Sequence, residues 1–314
     1  MLVSNPFWAS NKPTGYSGPP LGLFMGGNTS NNVATGIAST KVYNFTSNSA
    51  VGGTSLTTAS SYGAAAGGPN FAIANFGITV DNVVLNTYQS YNWTTSATAT
   101  GTIGTFMSRG AAVTNSQHAL FSNATGGASY TYTYASQAWA PGGAITQSID
   151  LWAGASDGVN LGFFGGGLNT GSNTISDLTF TYLFSSKTAV GGTAMTTGYS
   201  NLVAIGSGAE EKIFYCGGTS DAAGTTPVSV TSIYSITSQT FSPGNAIGVP
   251  TPTQNMGGAQ DAHDTLGIIT GGFQAGPVAT NLTYIVFLIT NAISGGGNIG
   301  GPDAGAIASA STYY

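Results

Sequence analysis

Short apolar runs recur along the chain, and most of them end in a pair of glycines. They are Gly22-Leu23-Phe24-Met25-Gly26-Gly27, Ala72-Ile73-Ala74-Asn75-Phe76-Gly77, Ala119-Leu120-Phe121-Ser122, Gly162-Phe163-Phe164-Gly165-Gly166, Ile213-Phe214-Tyr215-Cys216-Gly217-Gly218 and Gly267-Ile268-Ile269-Thr270-Gly271-Gly272. Successive starts lie 50, 47, 43, 51 and 54 residues apart. Runs this short, bounded by glycine and rich in β-branched and aromatic residues, predict buried strands and not helices.

A second pattern keeps step with the first. Ala50-Val51-Gly52-Gly53-Thr54-Ser55-Leu56-Thr57-Thr58 is nearly repeated as Ala189-Val190-Gly191-Gly192-Thr193-Ala194-Met195-Thr196-Thr197. Weaker copies start at Ala99, Ala140, Ser242 and Ser294, which makes six copies of one turn that reaches an apolar residue. Between run and turn lies an aromatic strand in most repeats, as in Val42-Tyr43-Asn44-Phe45, Tyr91-Asn92-Trp93, Tyr130-Thr131-Tyr132-Thr133-Tyr134, Phe180-Thr181-Tyr182-Leu183-Phe184 and Tyr284-Ile285-Val286-Phe287. Aromatics two apart share one face of a strand. After the turn comes a strand of small residues, such as Gly63-Ala64-Ala65-Ala66 or Gly110-Ala111-Ala112-Val113. Such residues suit the crowded narrow end of a wedge-shaped sheet.

A period of about 50 residues, with a strand ending in Gly-Gly, a tyrosine strand and a glycine turn, resembles the Kelch repeat. The third and fifth copies come closest, because the aromatics Trp139 and Phe241 stand before their turns. The other copies lack that aromatic, and the second and third lack a clean Gly-Gly. The resemblance covers nearly the whole chain and implies an all-β, roughly six-bladed Kelch-like β-propeller. Residues 1–314 then form a single domain, with residues 1–20 as a docking or closure segment. About one strand's worth of chain precedes Leu21, and one strand candidate, residues 304–311, follows the sixth turn. Together the N- and C-terminal strands would complete one blade and close the ring, leaving no open sheet edge. The competing architecture is an elongated β-solenoid, whose rungs are normally shorter.

Charge changes what such a fold can do. Only 5% of the 314 residues are charged, against about 25% in an ordinary soluble domain. Net charge is -5 and the pI is near 4.5, so no basic footprint for nucleic acid or anionic lipid is expected. The single cysteine, Cys216, excludes an internal disulfide framework and a cysteine zinc site, and is expected to be a buried small hydrophobe. Residues Met1 to Pro6 show no basic or apolar signal pattern, so no secretory signal is expected. The most apolar run, Tyr284 to Ile289, is of strand length, so no membrane insertion is expected.

Enzymatic chemistry finds little support in the residue types. A sialidase-type site needs several arginines, and Arg109 is the only one. A copper site of the galactose-oxidase kind needs a Tyr–Cys pair and two histidines, whereas His118 and His263 lie in different repeats. The densest polar cluster is Asp261-Ala262-His263-Asp264. Asp261, His263 and Asp264 are weak candidates for a divalent cation or an acid–base pair. The competing reading is a solvated turn whose aspartates bond nearby backbone N–H groups. Glu210-Glu211-Lys212 reads as an exposed hairpin tip, and the triple glycines at 165–167 and 295–297 lack the Lys-Ser/Thr of a phosphate loop. Trp93, Trp139 and Trp152 read as packing residues. No catalytic residue, metal or cofactor is expected. Phe7, Trp8, Tyr313 and Tyr314 are candidates for docking the chain ends on a partner.

Charge-poor, Gly/Thr/Ser/Asn-rich Kelch-like chains resemble the tail, neck and fibre components of tailed bacteriophages. The resemblance implies a virion structural protein assembled in the host cytoplasm. Its expected partners are other virion proteins in an oligomer or larger assembly, with host-surface glycans or a receptor as a further contact. The alternatives are a cellular Kelch-like interaction module and a surface adhesin.

Overall fold

The computed structural model describes residues 18–29, 35–75, 77–123, 128–142, 145, 148–244, 254–261, 265–274, 279–280, 282–295 and 308–311. These residues are all-β, with no α-helix among them. Most strands fall into six antiparallel four-stranded sheets. The second sheet runs Ala65–Gly67, Phe71–Asn75, Thr87–Asn92, Thr98–Thr102, and the third Ala112–Thr114, His118–Ser122, Ser129–Thr133, Ala138–Pro141. The fourth is Ala153–Ser156, Leu161–Gly165, Thr179–Leu183, Thr188–Gly191, and the fifth Val203–Ser207, Lys212–Cys216, Thr231–Ser235, Thr240–Pro243. The sixth is Gly257–Gln260, Leu266–Thr270, Thr283–Phe287, Ala292–Gly295. The first sheet draws on distant parts of the chain: Ala308–Ser311 pairs with Leu21–Met25, which pairs with Thr40–Asn44 and through it with Ser49–Gly52.

Within every sheet the strands have fixed roles. The second strands are the apolar glycine-ended runs of the sequence, and almost every residue in them is buried. The third strands present Tyr43, Tyr91, Tyr132, Tyr182 and Tyr234 to the core, with Val286 in that place in the sixth sheet. Each such side chain contributes about 1.5–3 kcal/mol by leaving water. The first strands are the small-residue segments and pair with a strand along one edge only. The first strands also neighbour one another: Ala65–Gly67 lies against Ala112–Thr114, which lies against Ala153–Ser156, then Val203–Ser207, then Gly257–Gln260, then Ala308–Ser311, which lies against Ala65–Gly67. Side chains bridge three of these approaches: Thr114 Oγ1 donates to Gly67 O (2.9 Å), Thr114 N–H to Ser156 Oγ (3.2 Å) and Gly206 N–H to Gln260 Oε1 (2.8 Å).

Third and fourth strands are joined by one turn used six times. Its first residue is apolar (Phe45, Trp93, Tyr134, Phe184, Ile236 and Leu288), and its last, Asn48, Ser96, Gln137, Lys187, Gln239 and Asn291, is left-handed with φ between 50° and 56°. This is a type I turn followed by a left-handed residue, the usual longer hairpin loop. The sequence hides it, because none of the six is glycine.

The near-identical Gly-Gly-Thr turns follow the fourth strands. Gly53, Gly142, Gly192 and Gly244 each donate an N–H to the start of their own third strand, at 2.7 to 2.9 Å. The chain then drops Leu56, Ile145 and Met195 into the core. In the second sheet Ile103 N–H makes that bond to Asn86 (2.7 Å), and the loop runs one residue longer before Met107 fills the place. The threonine after the glycines explains the near-identity. Thr54 Oγ1 donates to the carbonyl of Ser96 (3.0 Å) and Thr193 Oγ1 to that of Gln239 (2.8 Å), each the left-handed turn residue of the following sheet. Thr193→Val keeps the shape and loses this clasp. It is expected to cost about 1 kcal/mol in urea unfolding, and an unchanged midpoint would show that the clasp carries no stability.

Candidate functional site

Where the chain turns into the first strands, five residues adopt left-handed backbone: Tyr62 (φ 54°), Arg109 (54°), Leu151 (55°), Asn201 (58°) and Asn255 (58°). Bulky non-glycine residues rarely do so, and here the last four are each held by the counterpart in the preceding sheet. Arg109 N–H donates to Tyr62 O (2.9 Å), Leu151 N–H to Arg109 O (3.0 Å), Asn201 N–H to Leu151 O (2.8 Å) and Asn255 N–H to Asn201 O (2.9 Å). The result is a hydrogen-bonded belt crossing five sheets. All five residues line a cavity of about 130 Å³, together with the starts of the first strands. A deeper cavity of about 50 Å³ shares Ala65, Ala112, Gly154, Ala204 and Gly258 with it. Small residues are required here. A Cβ on Gly110 would lie 1.9 Å from Ser122 O, and one on Gly154 2.7 Å from Ala112 O.

The chemistry of this cavity centres on Arg109. Its guanidinium lies 5.4 Å from the centre of the Tyr62 ring, within cation–π range. Its Nη1 reaches Asp150 Oδ2 at 3.4 Å, and its side chain keeps 42% of its exposure. Burial pushes the Asp150 carboxyl above the usual carboxylate range, and the Arg109 charge and hydrogen bond partly restrain that shift. Burial likewise raises the Tyr62 phenol, with Arg109 opposing. Asn201, buried in the wall, donates its Nδ2 to Gln254 Oε1 (3.3 Å), while its Oδ1 is buried with no hydrogen-bond partner. Gln254 is fixed in turn by its own donation to Gly224 O (2.8 Å).

The sequence candidates fall elsewhere. Asp261 is buried, and its Oδ1 accepts the N–H of Thr265 (2.7 Å) and Leu266 (3.0 Å) while Oδ2 accepts the Thr265 hydroxyl (2.6 Å). It therefore shapes the hairpin between the first and second strands. Asp157 holds the corresponding hairpin in the fourth sheet, accepting from Val159, Asn160 and Leu161, and Asn115 holds it in the third, accepting from Gln117 and His118. His263 and Asp264 lie outside the described residues, as do Phe7, Trp8, Tyr313 and Tyr314. Among the described residues no group of three or more His, Cys, Asp or Glu is placed to hold a metal ion. His118 and Cys216 lie in the third and fifth sheets, and Cys216 is fully buried with its thiol pushed up to about 12 by burial. Lys212 and Glu210 are half-buried rather than exposed, 3.6 Å apart, and Lys212 also reaches Asn291 Oδ1 in the sixth sheet (3.4 Å). Trp93 and Trp152 are packing residues whose indole N–H groups donate to Gly68 O and Ser122 Oγ, both at 2.9 Å.

The two Asx turns, at Asn115 and Asp157, make a test. Burial raises the Asp157 carboxyl despite its three backbone donors, so its charged form is penalised on folding. The stability it contributes is present below 3.8 and is lost as pH rises through the raised value. Asp157→Asn keeps the accepting Oδ1, as Asn115 does naturally. Melting at neutral pH is expected to be unchanged or higher for the variant, and the difference should close in acid. A variant less stable at neutral pH would mean that the turn needs the charge.

Fold and cavity define a class: an all-β chain of recurrent four-stranded sheets whose small-residue first strands line a common cavity. No family model matches the chain, and a search of curated proteins finds no relative.

Proposed function

We propose that the six sheets are the blades of a closed, six-bladed, Kelch-like β-propeller, and that the chain is a structural protein of a tailed-bacteriophage virion, in its tail, neck or fibre. The propeller is supported by the order of neighbours, which leads from Ala65–Gly67 through the five other first strands back to Ala65–Gly67. It is also supported by the first sheet, whose strands come from both ends of the described chain.

The observation that carries the structural role is how the distinctive residues are used. The Gly-Gly-Thr turns, the left-handed belt and the Ser156 and Gln260 side chains all tie one sheet to its neighbour. Such a body is rigid without any disulfide, its single Cys216 being a buried thiol. Its surface carries few charges, which favours a permanent seat in an assembly over free diffusion. Other virion proteins are its partners in this reading, and host-surface glycans are a further contact through its loops.

Immunogold electron microscopy of purified particles, with antibody to the recombinant chain, tests the reading. Gold at one fixed tail, neck or fibre position is the expected result. Protein found only in cytosol or on cells would end it in favour of an interaction module or an adhesin.

A further inference from the structure

The belt places the chain's one arginine in the lining of a cavity walled by small residues, two asparagines and apolar side chains such as Leu151, Leu202 and Met256. We propose that this cavity binds a small hydroxylated carboxylate, of the sugar-acid kind, with Arg109 as the partner of its carboxylate. The inference goes beyond the structural role above and does not depend on it, since it is read on the isolated chain.

Four features carry it. Arg109 has five N–H donors, and its pairing with Asp150 uses one of them, at a long 3.4 Å. The rest of a half-exposed fork remains for a planar anion. Asn201 lines the same cavity and its Oδ1 is a buried acceptor with no partner, so a ligand hydroxyl that reaches it would complete an unmet hydrogen bond. About 130 Å³ is well above what one water occupies and is of the scale of one sugar ring. The belt fixes the backbone of Arg109 through both its N–H and its carbonyl, so the guanidinium is carried on a rigid support.

Asp150 selects among anions. A buried carboxylate beside the guanidinium opposes a dianion more strongly than a monoanion. A carboxylate is therefore favoured over a phosphate, although arginine pairs well with either.

The test is titration of the full chain, by calorimetry or NMR, with sodium glucuronate. Glucose (no carboxylate), propionate (no hydroxyls) and inorganic phosphate serve as comparisons. Glucuronate is expected to bind with a Kd of about 1 mM and each comparison about tenfold more weakly. Methyl β-glucuronide separates two sources of the same chemistry. Equal affinity assigns the site to a glycan terminus, and loss of affinity assigns it to a free sugar acid.

Arg109→Gln should lose about tenfold in affinity and Arg109→Lys should recover part of it. Both replacements suit the backbone, since Gln137, Gln239 and Lys187 adopt the same left-handed conformation in this chain. Asp150→Asn removes the competing carboxylate and should tighten glucuronate about threefold, an effect that a purely structural Arg109 would not produce. Two results overturn the proposal: no saturable glucuronate binding by either wild type or Asp150→Asn, or wild-type affinity in a folded Arg109→Gln.

Discussion

A chain ending at residue 307 is expected to lose its stable monomeric fold. Of the seven residues removed, Ala308–Ser311 pair with Leu21–Met25 in the register Gly22–Ser311, Leu23–Ala310, Phe24–Ser309 and Met25–Ala308. All five residues of Leu21–Met25 are buried, so their freed backbone groups would sit at the edge of an apolar strand. Losing the ladder bonds at about 1 kcal/mol each, and leaving desolvated partners behind, costs roughly 4 kcal/mol. That is a large share of the roughly 5–15 kcal/mol that holds a typical domain. The segment also fills the space between Gly257–Gln260 and Ala65–Gly67, so two further sheets lose a neighbour. An apolar strand with an open edge recruits other chains, and the truncated protein should elute as aggregate and melt many degrees lower. A synthetic peptide spanning residues 301–314 should restore part of the stability when added back. A truncated monomer that melts with the full chain would show that this strand is dispensable, and would remove the main support for a closed propeller.

How much of this could be read from the sequence varies with the cause. The second strands were legible because burial on both faces demands continuous apolar runs, and the glycine pairs mark their ends. The aromatic third strands were legible for a similar reason, although the fifth copy, Thr231–Ser235, offers only Tyr234 in place of paired aromatics. The small-residue first strands were legible as crowded edges. The left-handed belt was not, because Tyr62, Arg109 and Leu151 carry no residue-type preference for that backbone. What selects it is a hydrogen bond to the next sheet, which is a tertiary event. Arg109 was passed over for a related reason: a count of arginines measures how much charge a site could hold, not where one charge stands. The Asp261 cluster left two readings open, since an aspartate shaping a hairpin looks in sequence like an aspartate offering a ligand. Only the recurrence of the hairpin at Asn115 and Asp157 separates the two. The two small extra sheets, Ser60–Ser61 with Ile78–Thr79, and Ile149–Asp150 with Leu168–Asn169 and Thr174–Ile175, are too short to leave a period.

Gly166→Ala is expected to do large damage for one added carbon. Gly166 and Gly167 follow the second strand of the fourth sheet with φ of 70° and 97°. Their N–H groups donate to Leu178 O (3.1 Å) and Tyr199 O (2.7 Å), which fastens the chain coming back toward the next sheet. A Cβ on Gly166 would stand 2.4 Å from Tyr199 O and 2.5 Å from Leu202 Cδ1. Leucine could turn aside, but the carbonyl is already held by Gly167 and cannot retreat without breaking that bond. A left-handed alanine costs about 1 kcal/mol, and overpacking against backbone adds about 1–3 kcal/mol. In a chain of this size the melting temperature should fall by roughly 5–10 °C. Gly191→Ala is the control, because a Cβ there meets nothing within 4 Å, and its melt should match the wild type. The same left-handed pair occurs at Gly26-Gly27, Gly217-Gly218 and Gly271-Gly272, so similar losses at those sites would show that one joint is built four times over. Equal melting of Gly166→Ala and Gly191→Ala would mean instead that the glycine pairs mark the repeat without holding it together.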